Sequence, residues 1–119
     1  MKLWELAAIA IALSCMMTPQ AQAAYAIAFN SSTGRAAADN SSFALDQVRK
    51  AALSKCGSGC RIVSSGKGSC AAVVEAVSTG TFAWGVSTGT TTGSATNAAT
   101  HECRRKGGVQ CKPAAAICD

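Results

Sequence analysis

The chain has 119 residues, 49% of them hydrophobic but only 5% aromatic, with seven cysteines and a net charge of +5. A chain this short buries only about 60–65% of its unfolded surface, and its apolar residues are mostly Ala, so a large aliphatic core is excluded and covalent help is useful. The cationic balance leans mildly toward anionic partners, with ordinary solubilising charge the plainer and favoured reading.

The N-terminus has the form of an export leader. Lys2 supplies a positive start, Leu6 to Leu13 make a short apolar run, and Thr18-Pro19-Gln20 turns polar. Ala21-Gln22-Ala23 then fits the small-x-small cleavage pattern, placing a signal peptide over 1–23. The apolar run falls short of the roughly 20 residues that cross a bilayer. Cys15 follows Leu13-Ser14 in faint likeness to a lipoprotein site, but Ala12 stands where Leu is usual, so cleavage after Ala23 is favoured. No membrane attachment is then expected once the leader is gone. Lys2 and Glu5 leave together, so the remainder keeps its charge of +5.

Beyond the leader the chain repeats itself over 24–69 and 70–119. Ala24-Tyr-Ala-Ile-Ala-Phe-Asn-Ser-Ser-Thr-Gly34 reads against Cys70-Ala-Ala-Val-Val-Glu-Ala-Val-Ser-Thr-Gly80. Each β-rich stretch runs into the same Ser-Thr-Gly turn, and continues as Arg35–Ala38 or Thr81–Gly85 to complete a hairpin. A helix follows each hairpin. In the first, Ser41-Ser42 offers an N-cap, Phe43, Val48, Ala51, Ala52 and Cys56 share one face, and Gly57 stops it. In the second, Ser94 to Cys103 plays the same part, ended by Gly107-Gly108. Ser87 to Ser94 reads as a flexible polar loop before it. Cys60–Val63 and Cys111–Ile117 open closing strands, the latter placed at an edge by Pro113, which has no N–H. The pattern predicts a duplicated β-β-α-β unit in one α+β domain: an antiparallel sheet with two helices on one face, stapled by disulfides.

Removing Cys15 leaves six cysteines, an even count suited to an oxidising compartment. Cys56, Cys60 and Cys70 match Cys103, Cys111 and Cys118 in order. Three per half demands at least one bond between halves. One symmetric arrangement joins Cys56–Cys60, Cys103–Cys111 and Cys70–Cys118; the other joins Cys56–Cys70, Cys103–Cys118 and Cys60–Cys111. The short links from helix to strand lean toward the first.

These motifs together form a familiar pattern: Tyr25-Ala-Ile-Ala-Phe29, Ala51-Ala52-Leu53 with Cys56, Cys60-Arg61-Ile62-Val63, Cys70-Ala71-Ala72-Val73, Phe82-Ala83-Trp84-Gly85, Cys103 and Cys118. The chain after the leader resembles the bacterial secreted family catalogued as domain of unknown function four-one-eight-nine. The resemblance implies a small exported protein with paired cysteines and brings no catalytic residues with it. Residues 36–42 are plainer than the aromatic, Gly-rich strand usual in that family, and only Trp84 keeps that character.

Catalytic chemistry finds few residues to work with. His101, Glu102 and Cys103 are consecutive, so on a helix they point in different directions. A Cys–His pair would also need a free thiolate, which an even cysteine count argues against. The carboxylates Asp39, Asp46, Glu75, Glu102 and Asp119 are scattered. Glu75 is the most interesting, because it interrupts the apolar run Ala71–Val77; burial would raise its pKa, whereas an outward strand position is the ordinary reading. Cys56-x3-Cys60 and Cys103-x7-Cys111 are poor zinc knuckles. Gly66-Lys67-Gly68 lacks the frame of a phosphate loop, and aromatics are not clustered for base stacking.

The resulting expectation is a non-enzymatic, monomeric, exported interaction module without metal or cofactor. It would bind a protein or an anionic envelope component, not a specific nucleic acid, through Phe82, Trp84 and the loop after them, Trp being enriched at binding hot spots. The alternatives are a small extracellular hydrolase, which a buried carboxylate facing His101 would favour, and a structural or host-directed secreted factor.

Overall fold

The computed structural model describes residues 23–78 and 81–119, with the side chains of residues 77–82 outside that description. The leader and Cys15 lie outside the described residues. Two β-β-α-β units follow one another. The first comprises β1 (Ala24–Asn30), β2 (Arg35–Asp39), α1 (Leu45–Cys56) and β3 (Arg61–Lys67). The second comprises β4 (Cys70–Ser78), β5 (Thr81–Gly89), α2 (Thr92–Arg105) and β6 (Cys111–Cys118).

Each unit closes its own antiparallel sheet, with the first strand in the centre: β2-β1-β3 and β5-β4-β6. The expected antiparallel sheet is thus divided into two three-stranded ones. The division follows from the central strands, whose two faces are both apolar. Ala24, Ala26 and Ala28 of β1 face Val48, Ala52 and Cys56 of α1, while Tyr25, Ile27 and Phe29 point the other way. Cys70, Ala72, Val74 and Ala76 of β4 face Ala95, Ala99 and Cys103 of α2, while Ala71 and Val73 point away. The two outward sets can leave water only by packing on each other, and they do, in one cluster with Val63, Trp84 and Ile117. The layers run helix, sheet, sheet, helix, each helix on one face of its own sheet.

The duplication extends to an irregularity. The β1–β3 register shifts between Ile27 and Ala28, and the β4–β6 register shifts between Val73 and Val74. Both shifts follow the fourth residue of the central strand, with Val63 and Ala114 as the bulged residues. A β-bulge bends its strand locally, so equal bulges give the two sheets matching curvature. Counting from them, Ala37 corresponds to Gly85, Ala36 to Trp84, and Phe29 to Glu75.

The disulfides are Cys56–Cys60, Cys103–Cys111 and Cys70–Cys118. The favoured pairing is the observed one, but the bond expected between halves does not exist. Cys70 opens the second unit, so that unit holds four cysteines and the first holds two. Cys70–Cys118 joins the first residue of β4 to the last of β6, which are register partners. The first unit has Ala24 opposite Lys67 at that place.

Two local expectations are corrected. Phe43 precedes α1 and is 61% exposed, and the helix begins at Leu45 with Ala44 as N-cap. The serines expected to cap it are used in the preceding turn. Ser41 donates to Asp39 through both its amide and its hydroxyl, and the Ser42 hydroxyl accepts from the Ala44 amide. Ser87 to Ser94 is not a flexible loop. β5 runs to Gly89, and Thr91 caps α2 with Ser94 reciprocating in a capping box. The strand expected to open at Cys60–Val63 is β3, which begins at Arg61 and runs to Lys67. The edge position expected of the Pro113 strand is observed, since β6 flanks only β4.

Candidate functional site

Of the two residues expected to form a contact face, the side chain of Phe82 lies outside the described residues. Trp84 stands on the edge strand β5, half-buried, on the side of the sheet that faces the other sheet. Its ring meets Phe29 at 5.1 Å between centroids and 47° between planes, a tilted pair that fixes its orientation. Lys106, just past the end of α2, places its ammonium 4.9 Å from the ring centroid. Trp84 is therefore held from two sides by residues of different elements.

Beside it on the same face is Glu75, paired with Trp84 across β5 and with Lys112 across β6. Glu75 is where the sequence is most informative after all, because it sits between the sheets instead of facing outward. One carboxylate oxygen, Oε2, is buried with no hydrogen-bond partner. Burial raises its pKa above the ordinary carboxylate range, since desolvation disfavours the charged form. Room for the carboxylate comes from Gly34, in the turn between β1 and β2, where a Cβ would collide with Oε2 of Glu75. Gly34 also has φ +79°, a conformation that side chains disfavour. The Ser-Thr-Gly turn thus forms a wall of the site as well as reversing the chain.

Several other charged groups are engaged locally. Asp39, 4% exposed at the end of β2, accepts from Lys55 of α1 at 2.7 Å and from Ser41. The Lys55 and Ser41 hydrogen bonds outweigh burial and hold its carboxyl below the usual range. Glu102 pairs with Arg105 at 2.6 Å, and Arg49 lies 4.0 Å from Asp46. The basic run Arg104-Arg105-Lys106 is at the C-terminal end of α2, where cations suit the helix dipole.

The catalytic constellations do not assemble. His101 is exposed on α2, and α2 covers the face of β4 opposite to Glu75. The carboxylate and the imidazole are separated by the sheet. Cys103 is bonded to Cys111, so it offers no thiolate. All six cysteines of the described residues are paired. No described helix is long and apolar enough to cross a membrane.

Residues 24–118 match the model of a family described as Domain of unknown function (DUF4189). No curated protein and no solved structure matches the chain.

Proposed function

The chain belongs to the family Domain of unknown function (DUF4189), and from that premise we propose that it is an exported interaction module whose contact face is the Trp84 corner of β5. The observation that carries this reading is the way Trp84 is presented. A large amphipathic ring stands half-exposed at a sheet edge, clamped by Phe29 and Lys106 within a domain bonded by three disulfides. A ring fixed before binding loses little conformational freedom on contact, which favours affinity. β5 is also an edge strand, with backbone groups unpaired on its outer side. The partner is a protein or an anionic component of the envelope, the excess of cations adding long-range attraction.

Export is supported by the leader and by three disulfides, which persist in oxidising compartments. The hydrolase alternative loses the feature that would favour it, since Glu75 and His101 are on opposite faces of one sheet.

The test begins with the intact mass of protein recovered from the exported fraction of cells expressing the full gene. A chain starting at Ala24 whose six thiols react only after reduction is expected. A full-length chain whose thiols label at once overturns the compartment. Retention of wild-type protein and Trp84→Ala on peptidoglycan, lipopolysaccharide and immobilised envelope proteins then follows. Binding to one of them that falls at least roughly tenfold on removing Trp84 is expected of a hot-spot residue. Equal retention of the two proteins on every surface overturns the contact face.

A further inference from the structure

We infer that the Trp84 corner receives a cationic side chain, an ammonium or guanidinium presented by the partner, held over the indole and neutralised by Glu75. The inference rests on the contact face proposed above and names its ligand chemistry. Two independent observations meet at this corner. The indole already attracts a cation, because Lys106 places its ammonium 4.9 Å from the ring centroid. Next to the indole on the same face is a carboxylate with a buried oxygen that nothing in the fold satisfies. An aromatic face beside an anion is the arrangement that desolvates and holds an organic cation. Buried polar atoms are normally paired, so an orphan oxygen on a half-buried side chain marks where a donor is missing.

The fold makes this corner deliberately in one unit only. The positions equivalent to Glu75 and Trp84 in the first unit are Phe29, which carries no charge, and Ala36, which carries no ring. Gly34 contributes by absence, since any side chain there would displace the Glu75 carboxylate. Neither neighbouring lysine does the job. Lys112, the cross-strand partner of Glu75 on β6, is exposed and makes no ion pair with it; Lys106 covers the ring from the end of α2 without reaching the carboxylate. Lys106 is thus the natural competitor of an incoming cation. It occupies the indole and yields when a ligand arrives that can engage both groups.

The probes are the methylamides of acetyl-lysine and acetyl-arginine, with the acetyl-norleucine counterpart as an uncharged match. The full chain as expressed is titrated while the indole N–H resonance of Trp84, assigned by Trp84→Phe, is followed by NMR. Saturable shifts with the lysine and arginine probes and none with norleucine are expected. Glu75→Gln, which keeps the shape of the side chain, should weaken cation binding roughly tenfold, as the loss of a charge-assisted contact implies. Lys106→Gln should tighten it about three- to fivefold by freeing the ring. A norleucine shift equal to that of lysine overturns the inference, as does a cation affinity unchanged by Glu75→Gln in a protein with the wild-type spectrum. If envelope binding depends on Trp84 while Glu75→Gln leaves it intact, the contact face stands and the cation site alone fails.

Discussion

Glu75 and Asp39 are two acids whose ionisation the fold alters in opposite senses. The Glu75 pKa is raised by burial, so the folded state holds its proton more tightly than the unfolded chain does. Stability therefore falls as pH rises from the unfolded value, about 4.3, through the folded one, and the full cost remains at neutrality. The Asp39 pKa is lowered, chiefly by the hydrogen bond from Lys55, so its contribution is present above an unfolded value of about 3.9 and is lost as pH falls through the folded one. Glu75→Gln is expected to stabilise the protein at pH 7 and to lose that advantage below about pH 4, where the wild-type acid is protonated anyway. Asp39→Asn should destabilise at pH 7 and converge with wild type only under stronger acid. Urea melts at several pH values measure both; a Glu75→Gln protein less stable than wild type at pH 7 would contradict the burial argument. A third position is sensitive for steric reasons. A Cβ at Gly85 would strike the Ala99 carbonyl and lie 2.6 Å from the Cys103 amide, both in the backbone of α2. Gly85→Ala should cost about 1–3 kcal/mol, because the helix must retreat from the sheet. Its counterpart Ala37 is an alanine already, packed against the cluster under α1.

The two helices begin differently although their units correspond. α1 starts at Leu45 after Ala44, which makes no side-chain cap. α2 starts after Thr91, whose hydroxyl accepts from the Ser94 amide at 3.0 Å while the Ser94 hydroxyl accepts from the Thr91 amide at 3.2 Å. Thr91→Ala removes one half of this box and is expected to cost about 1 kcal/mol, seen as a lower denaturation midpoint with an unchanged slope. Ala44→Ser supplies the missing cap to α1 and should return a similar amount; no gain would show that the Asp39–Ser41 turn holds the chain away from capping geometry. The buried faces of the helices need only small residues. Val48, Ala52 and Cys56 on α1 and Ala95, Ala99 and Cys103 on α2 are all fully buried. Those triplets recur every four residues; Val48, Ala52 and Cys56 were legible in the sequence, though grouped there with Phe43 and Ala51. The capping box was hidden in a run of Thr, Ser and Gly that resembles a linker, because hydroxyl residues serve caps and loops equally well.

For the whole molecule, the disulfides differ in how much of the chain they constrain. Cys56–Cys60 spans a separation of 4 residues, Cys103–Cys111 of 8 and Cys70–Cys118 of 48. On the chain-entropy account the last is worth about 4 kcal/mol and the first about 2. Replacing Cys70 and Cys118 together by Ala should therefore lower the guanidinium midpoint more than replacing Cys56 and Cys60. The reverse order would mean that anchoring α1 to β3 matters more than loop closure. The first unit manages without a bond at that position, since Ala24 faces Lys67 there, so the variant should still fold. What keeps the units together is apolar: Tyr25, Ile27 and Phe29 from one sheet, Ala71 and Val73 from the other.

From the residues alone came the duplicated β-β-α-β order, an even cysteine count with a lean toward the observed pairing, and the edge placement of Pro113, because periodicity, residue counts, short helix-to-strand links and a missing N–H are read without the fold. Trp84 was also singled out from its kind, though not its neighbours. The apolar runs Ala24–Phe29 and Ala71–Val74 were legible as strands, but one covered face was expected of them, and a run of this sort does not state what covers the second. Only the tertiary structure decided that the units close separate sheets and stack. With that stacking came the rest: the Glu75 side chain turned inward, His101 stranded across the sheet, and Gly34 brought against a carboxylate 41 positions away. Strand alternation assigns residues to one face or the other, and which face is inside depends on a partner sheet far along the chain.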